Sequence, residues 1–231
     1  MKFPSPLVCG ILLKRYRRSL VDVKLDDGTI VTAHNSSFGQ MTGCSEPGRP
    51  VLLSESKDKG RRHPHTWEMI DMNGVWIGVN PANAHKVVAE AITEGKIPSL
   101  LDYELQPDAT LGPGRKIDLF FQGLEQNCFV NIHSVTWVED GIAFFPDAPS
   151  PPAQKGMQEL AAIAQQGHSA IAIFVVQRGD CAKFRPADRI DRVLLRNILA
   201  AHSAGVEILV YRAVVTPHEI LLGEIIPHSL D

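Results

Sequence analysis

The amino-acid sequence predicts an α/β protein whose N-terminal part is all β. Short apolar segments separated by turns fill the chain from Val8 to about Trp76, and about five strands at this spacing are typical of a small closed barrel. After Pro81, buried strand patterns alternate with amphipathic helices, which indicates an α/β fold. With 231 residues and 44% hydrophobic content, the chain is long enough to bury a sizeable core.

The barrel strands are predicted from apolar segments that end in turn residues. Asp26-Asp27-Gly28 separates two of these segments, and Asn73-Gly74 between two others is a strong hairpin signal. The predicted strands cover residues 11–13, 20–25, 29–33, 51–54, 66–70 and 75–79.

The second part begins with a helix over residues 82–94, which has Val87, Val88 and Ala91 on one side and Gly95 as its stop signal. We therefore place the domain boundary near residue 81, between a domain of residues 1–80 and a domain of residues 81–231. The remaining predicted elements are strands near 116–122 and 128–138, a helix near 155–166, strand 170–177, helix 187–203 and strand 206–215.

Composition and charge narrow the class of protein. Four cysteines lie far apart without paired spacing, and no apolar run is long enough for a signal peptide or a membrane span, so we expect a cytoplasmic protein with reduced thiols and no membrane contact. The net charge of −3 is the sum of a basic N-terminal part and an acidic C-terminal part. Residues 1–80 carry 11 Lys and Arg against 8 Asp and Glu, whereas residues 81–231 carry 12 against 18.

Polar side chains interrupt the two predicted strands of a hairpin. Asp118 alternates with Ile117 and Leu119 in the first strand, and Asn131 and His133 alternate with apolar residues in the second. Burying an unpaired polar group costs about 1–3 kcal/mol, so such groups usually pair, bind something or line a cleft. The alternative is a solvent-facing side of a hairpin edge, where polar residues need no role.

Five sequence blocks are informative when they are taken together. They are Met41-Thr42-Gly43-Cys44, His65-Thr66-Trp67-Glu68, Phe145-Pro146-Asp147-Ala148, Lys183-Phe184-Arg185-Pro186-Ala187 and Gly205-Val206-Glu207-Ile208-Leu209. With these blocks the chain resembles the sugar fermentation stimulation protein A family over nearly its whole length. The resemblance implies an N-terminal OB-fold barrel, a C-terminal restriction-endonuclease-like α/β domain, and DNA as the partner.

The hairpin departs from the pattern of that family. The family reads Ile-Asp followed by Glu-Val-Lys, in which two carboxylates hold a divalent metal and the lysine activates or orients water. Asp118 matches the first carboxylate and is the one residue assigned to a metal, with Mg²⁺ or Mn²⁺ as the candidate ions. Asn131 and His133 stand where the glutamate and the lysine belong. The resemblance therefore implies a vestigial or altered nuclease site.

Glu90, on the first helix of the second part, is a candidate to supply a further carboxylate. If it did, and if His133 replaced the lysine, the protein would be a working metal-dependent endonuclease or phosphodiesterase. The alternative is an ordinary exposed helix residue, as most glutamates are.

Two basic clusters of the N-terminal part predict contacts with a phosphate backbone. The first consists of Lys14, Arg15, Tyr16, Arg17 and Arg18, where Tyr16 offers a stacking face, and the second of Lys57, Lys59, Arg61 and Arg62. The alternative interpretation is that they form the solvated ends of strands.

We expect a DNA-binding protein without strong sequence preference, acting as a regulator with a degraded nuclease site rather than as an enzyme. The first alternative is a divalent-metal-dependent DNA nuclease with a non-standard site. The second is an interaction module without DNA contact, which the acidic balance of residues 81–231 favours. A second copy of the chain, forming a homodimer, is a further partner that the sequence allows.

Overall fold

A computed structural model describes residues 1–16, 19–37, 39–58, 60–107 and 117–230. Three of the predicted DNA-contacting residues, Arg17, Arg18 and Lys59, lie outside the described residues, as does Lys116 at the start of a predicted strand.

The N-terminal part is a closed barrel, as the strand spacing predicts. Its six strands pair in the order β3-β2-β1-β4-β5-β6, and a parallel bridge between His34 and Thr66 joins β3 to β5 and closes the sheet. Leu12, Leu53 and Trp67 are fully buried inside it. The strands are β1 (Val8–Tyr16), β2 (Leu20–Leu25), β3 (Ile30–His34), β4 (Pro50–Glu55), β5 (His65–Met72) and β6 (Val75–Gly78).

The C-terminal part is a mixed six-stranded sheet with helices on both faces. The sheet has the order β15-β14-β12-β9-β8-β7, and its three central strands β14, β12 and β9 are parallel. A second sheet has the order β10-β11-β13. The elements are α1 (Pro81–Thr93), a 3-10 turn (Pro98–Leu100), β7 (Glu104–Leu105), β8 (Leu119–Gln122), β9 (Cys128–Val135), β10 (Trp137–Glu139), β11 (Ile142–Phe145), α2 (Pro151–Gln165), β12 (Ser169–Val176), β13 (Lys183–Pro186), α3 (Arg192–Ser203), β14 (Glu207–Val215) and β15 (Ile220–Ile225).

Alternate residues of the central strands face two apolar cores. On β12, Ile173 packs toward α1, whereas Phe174 packs toward α2 and α3. The core on the α1 side also contains Leu52 and Met69 from the barrel. The barrel and the sheet domain therefore share buried apolar contacts rather than meeting only through a linker.

The predicted starts of two helices are wrong because capping residues set them, and one predicted strand is divided in the structure. Helix α2 begins at Pro151 and not near residue 155, because the Ser150 side chain accepts a hydrogen bond from the Ala153 N–H and proline suits the first turn. Helix α3 begins at Arg192 and not at residue 187, because Asp191 caps it through the Leu194 N–H. The predicted strand 128–138 is two strands, β9 and β10.

Most other predicted elements end within two residues of the observed ones. Strand β1 is longer than the predicted 11–13 by three residues at each end, and β8 begins at Leu119 against a predicted start near 116. Helix α1 buries Val87, Val88 and Ala91 as expected, and Asn73-Gly74 forms the turn between β5 and β6 with positive φ at both residues. All four cysteines lie in the described part of the chain as free thiols, and three of them are buried. Among the described residues no helix is both long and apolar enough to cross a membrane.

Candidate functional site

Asp118 lies just before β8, where hydrogen bonds from neighbouring main chain fix its side chain. Its N–H donates to the Val130 carbonyl at 3.0 Å and to Asn131 Oδ1 at 3.2 Å. Its Oδ2 accepts a hydrogen bond from the Ile132 N–H at 2.7 Å. The carboxylate is thus held against β9, with 36% of the side chain exposed.

His85 of α1 is the partner of Asp118 that the sequence did not predict. Its Nε2 lies 3.6 Å from Asp118 Oδ1. This contact raises the pKa of His85 against the opposing effect of burial. Burial pushes the pKa of Asp118 upward, but the hydrogen bonds from His85 and from the Ile132 N–H outweigh it and hold that pKa below its ordinary value. The pair therefore favours a carboxylate and an imidazolium.

The other two hairpin residues lie on β9 beside this pair. Asn131 is 2% exposed, and its carbonyl oxygen is engaged by the Asp118 N–H. The His133 ring packs between Phe174, at 4.9 Å between ring centroids, and Phe145, at 5.2 Å. Burial lowers the pKa of His133 to about 4, although the charge of Asp118 opposes this. At neutral pH His133 is therefore uncharged and cannot supply the cation that a lysine would bring.

His133 also leaves a buried nitrogen unsatisfied. Its Nε2 has no hydrogen-bond partner among the described residues. Leaving a buried polar atom unpaired costs about 1–3 kcal/mol, so its retention beside a cavity is a signal of a binding site.

Two adjoining cavities open around these residues. The first, which we call the aspartate cleft, has a volume of about 420 Å³ and contains Asp118, Asn131, His85 and His133 in its wall. The second, which we call the aromatic pocket, has a volume of about 360 Å³ and is lined by residues of both domains. The two share the residues His85, Ile132, His133, Phe145, Ser150 and Pro152.

Glu90 does not join this group. Its carboxylate forms an ion pair with the N-terminal ammonium of Met1, which also donates to the Ile220 carbonyl. Within the described ranges there is no group of three or more His, Cys, Asp or Glu side chains arranged to hold a metal ion. The assignment of Asp118 as a metal ligand stays a prediction.

The donor set around Asp118 does not fit Mg²⁺ or Ca²⁺. These ions take several oxygen ligands, of which carboxylates do most to offset the cost of removing water. Among the described residues that line the cleft, Asp118 is the one carboxylate, and both of its oxygens already face donors, the Ile132 N–H and His85. Asn131 adds an amide without charge. We therefore derive no chemical step that depends on a metal ion.

The three described residues of the first basic cluster, Lys14, Arg15 and Tyr16, have partners within the barrel itself. The Arg15 guanidinium donates to the carbonyls of Gly39 at 2.7 Å and Gln40 at 3.0 Å, which anchors the loop after β3. The Tyr16 hydroxyl donates to Asp22 at 2.9 Å, and the Lys14 ammonium lies 3.7 Å from the same carboxylate. Lys14 is nevertheless 66% exposed.

The second basic cluster, by contrast, is on the surface. Lys57, Arg61 and Arg62 are exposed in the loop between β4 and β5. Burial lowers the pKa of His34, at the end of β3, and the nearby charges of Arg61 and His63 lower it further. The chain runs on from His34 to Ser37 and Gly39, which line the aromatic pocket. The exposed basic loop and the pocket are therefore linked through one end of the barrel.

Comparisons with known proteins agree with this architecture. The family model described as "SfsA N-terminal OB domain" matches residues 13–79, and the model described as "Sugar fermentation stimulation protein RE domain" matches residues 82–219. The OB-fold barrel followed by an α/β domain, expected from the resemblance, is confirmed. A solved structure described as "The structure of Pyrococcus Furiosus SfsA in complex with Ca2+" superposes with a TM-score of 0.89, at 22% identity, covering 99% of this chain and 98% of that chain.

Relatives described as "Sugar fermentation stimulation protein homolog" match along almost their whole length. The protein from Citrifermentans bemidjiense is 46% identical over 98% of this chain and 99% of its own. That from Geobacter sulfurreducens is 45% identical, with 98% of both chains covered, and that from Maricaulis maris is 40% identical, with 96% of both covered. The chain therefore belongs to the sugar fermentation stimulation protein family.

Proposed function

We propose that this protein binds DNA without strong sequence preference, that it does so in the cytoplasm, and that it acts as a regulator rather than as a nuclease. The observation that carries the proposal is the position of an exposed basic loop, with Lys57, Arg61 and Arg62 as its described cations, at the barrel end that leads to the aromatic pocket. OB-type barrels commonly present one face to nucleic acid, which supports the same interpretation.

Phosphate contacts are assigned first to Lys57, Arg61 and Arg62. Their side chains are exposed, so their charges can replace counterions on a DNA backbone. Arg15 holds a loop of the barrel, and Lys14 lies beside Asp22, so these two contribute less than their density in the sequence suggests. The acidic balance of residues 81–231 limits the basic footprint to this end of the barrel.

The proposed lack of nuclease activity rests on the groups around Asp118. The Pyrococcus furiosus relative was solved with Ca²⁺, an ion that takes six to eight oxygen ligands. In this chain the described residues give the aspartate cleft one carboxylate, one side-chain amide and two imidazoles, and His133 is uncharged at neutral pH. Binding and cleavage are therefore separable here, and we propose that binding is retained without Mg²⁺-dependent cleavage.

Salt-dependent binding tests the DNA contact. We expect Lys57→Ala with Arg61→Ala and Arg62→Ala to reduce the slope of log affinity against log salt by about 2 to 3 units, because each phosphate contact contributes about 0.7 to 0.9. The matched control replaces Lys183, Arg192 and Arg196, which are equally exposed on the other domain, by alanine. An unchanged slope in the first variant removes the loop from the interface. A wild type that binds no DNA establishes the interaction-module alternative.

Cleavage of plasmid DNA tests the second half of the proposal. We expect no appreciable cleavage by the wild type with Mg²⁺ or Mn²⁺, and measurable cleavage by Asn131→Glu with His133→Lys, which restores the acid and the cation. The same double variant carrying Asp118→Ala is the control and should be inactive. Strong metal-dependent cleavage by the wild type that Asp118→Ala abolishes establishes the nuclease alternative, which the two imidazoles beside Asp118 favour for a transition metal such as Mn²⁺.

A further inference from the structure

We propose that the aromatic pocket receives one unpaired nucleobase of a bound DNA strand. The inference rests on the proposed DNA binding and names the part of the ligand that enters the protein. It concerns the residues of the pocket on β10, on β11 and in the loop after β3, together with His133, which the pocket shares with the aspartate cleft.

Aromatic and proline residues form much of the wall. Trp137 and Phe144 pack against each other with ring centroids 5.1 Å apart, and Phe145 lies on the side of the pocket that borders His133. The Trp137 and Phe144 pair also lies beneath the guanidinium of Arg189. Flat apolar walls of this kind bind planar rings, because every base has a π face that stacks regardless of sequence.

Polar groups lie among these rings where the edge of a base would need them. Ser134, Thr136 and Asp147 line the pocket together with His133. The Nε2 of His133 has no partner among the described residues. Ser134 and Asp147 already accept hydrogen bonds, from the Gln177 side chain and from the Met41 N–H, and their oxygens can accept further ones. A nucleobase presents donors and acceptors along its edge that can meet such groups.

The location of the pocket suits a base that leaves its strand. Its wall combines Ser37 and Gly39 of the barrel with Pro81, Phe145 and residues 146–150 of the other domain. Arg61 of the exposed basic loop lies near His34, from which the chain leads to Ser37 and Gly39, and the aspartate cleft adjoins the pocket through shared residues. A strand whose phosphates contact the basic loop can therefore direct one base into the pocket without entering the sheet.

A base paired in a duplex must be unstacked before it can enter, and a single-stranded or mismatched base needs least energy for this. The proposal therefore predicts a preference for single-stranded DNA, or for duplexes with an unpaired position, over intact duplex. It predicts no strong preference among the four bases, because stacking rather than edge reading supplies most of the contact.

The test fills the pocket without changing charge. Ala148 lines the pocket, and Ala148→Trp places a large side chain in it; Ala200→Trp, on the exposed side of α3, is the matched control. Affinity for a single-stranded oligonucleotide is measured across a salt series. We expect Ala148→Trp to weaken binding about tenfold, as the loss of one stacked base does, with the salt slope unchanged, and we expect Ala200→Trp to bind as the wild type does.

An oligonucleotide carrying 2-aminopurine at one position reports where the base goes. Its emission should change on binding when that position is unpaired, change little when it is paired in a duplex, and respond weakly in Ala148→Trp. Phe145→Leu keeps an apolar side chain but removes a ring, and should weaken single-strand binding in the same direction, with thermal unfolding to show that the fold is retained.

The outcomes separate this inference from the proposed function. Single-stranded binding that Ala148→Trp and Phe145→Leu leave unchanged overturns the base pocket while DNA binding stands. Equal affinity for single strands and intact duplex overturns it as well. Absence of any DNA binding by the wild type overturns both.

Discussion

Two carboxylates at the centre of this molecule have opposite surroundings. Glu68, on β5 at the junction of the domains, is 4% exposed and accepts hydrogen bonds from Ser54 Oγ at 2.6 Å, Asn80 Nδ2 at 3.0 Å and Asn83 Nδ2 at 2.7 Å. Asp118 is over one third exposed, and one of its oxygens meets only His85, at 3.6 Å.

The contrast separates a structural polar group from a functional one. Around Glu68 each donor named above belongs to the protein and is fixed by a strand or by the start of α1, so the group stabilises the junction. Around Asp118 the carboxylate faces a cavity, and the neighbouring His133 retains an unsatisfied nitrogen. Polar groups with incomplete partners beside a cavity are the ones expected to meet a ligand.

The largest effect is expected from Glu68→Ala. It removes the acceptor for Ser54 and for two buried asparagines, and hydrogen bonds to charged groups contribute about 1.5–3 kcal/mol each while unpaired buried donors add to the loss. We expect the free energy of unfolding in urea to fall by about 4 kcal/mol. The exposed Glu104→Ala is the control and should change it by less than about 0.5 kcal/mol. A loss below about 1 kcal/mol for Glu68→Ala would show that the hydrogen bonds of Glu68 do not stabilise the junction, and the comparison with Asp118 would fail.

His133→Phe should change how stability depends on pH. The folded pKa of His133 is about 4 and the unfolded value is 6.5, so the unfolded chain binds the extra proton between these values. Stability from the neutral buried ring is thus present above pH 6.5 and is lost as pH falls toward 4. We expect the wild type to lose about 3 kcal/mol more than the variant over this range.

Urea unfolding at intervals from pH 7.5 to 4 measures this difference. His34 and His228 also have lowered pKa values and add a slope of the same sign, but they do so in both proteins. Parallel curves for wild type and variant would show that His133 is not held neutral by its surroundings.

Arg15 and Lys14 are adjacent cations whose side chains have different partners, so the effects of their substitution on stability can be compared directly. Arg15→Ala should cost about 1–2 kcal/mol of unfolding free energy, because the guanidinium holds the carbonyls of Gly39 and Gln40 in the loop beside the aromatic pocket. Lys14→Ala removes an exposed ion pair and should cost less than about 0.5 kcal/mol. If both substitutions lowered the free energy of unfolding equally, the hydrogen bonds of Arg15 would add no stability beyond the charge that both residues carry.

A small effect on stability is expected from His85→Ala, at about 0.5 kcal/mol near pH 5.5, because the pair with Asp118 is partly exposed. The contribution of Asp118 is present above its unfolded pKa of 3.8 and is lost as pH falls through its lower folded pKa. The contribution of His85 is present below pH 6.5 and is lost as pH rises through its raised folded pKa. A carboxyl titration followed by NMR should show the pKa of Asp118 rising in the variant.

Local patterns were enough to predict the barrel strands and α1. Their apolar periodicity and turn residues agree with the tertiary structure, as at Asn73-Gly74 and at the buried face of α1. The start of α3 was missed because Ala187 and Ile190 continue an apolar pattern, while the side chain of Asp191 determines where the helix begins. The short strands β11 and β13 were missed, and they pair with each other although they lie far apart in sequence. Strand β15 was also missed, although it forms a hairpin with the preceding strand β14.

The candidate site was only half visible in the sequence. Asp118, Asn131 and His133 were found because polar residues interrupt strand patterns, and the structure brings all three into the aspartate cleft. His85 carried no such signal, because an exposed histidine on a helix is ordinary and only the packing of α1 beside the hairpin brings it to Asp118. Glu90, predicted from its helix alone, points to the N-terminus instead.

The apolar core that Leu52 and Met69 share with α1 has a consequence for how this chain can be inherited and engineered. A barrel cut away after residue 80 would expose those two side chains to water. Its Glu68 carboxylate would also lose the hydrogen bond from Asn83 of α1. The remaining domain would lose the hydrogen bond that the Gly78 N–H donates to the Gln177 carbonyl. Neither domain is therefore expected to keep its fold if it is moved alone into another protein. Recombination within the family is therefore expected to exchange the two halves together.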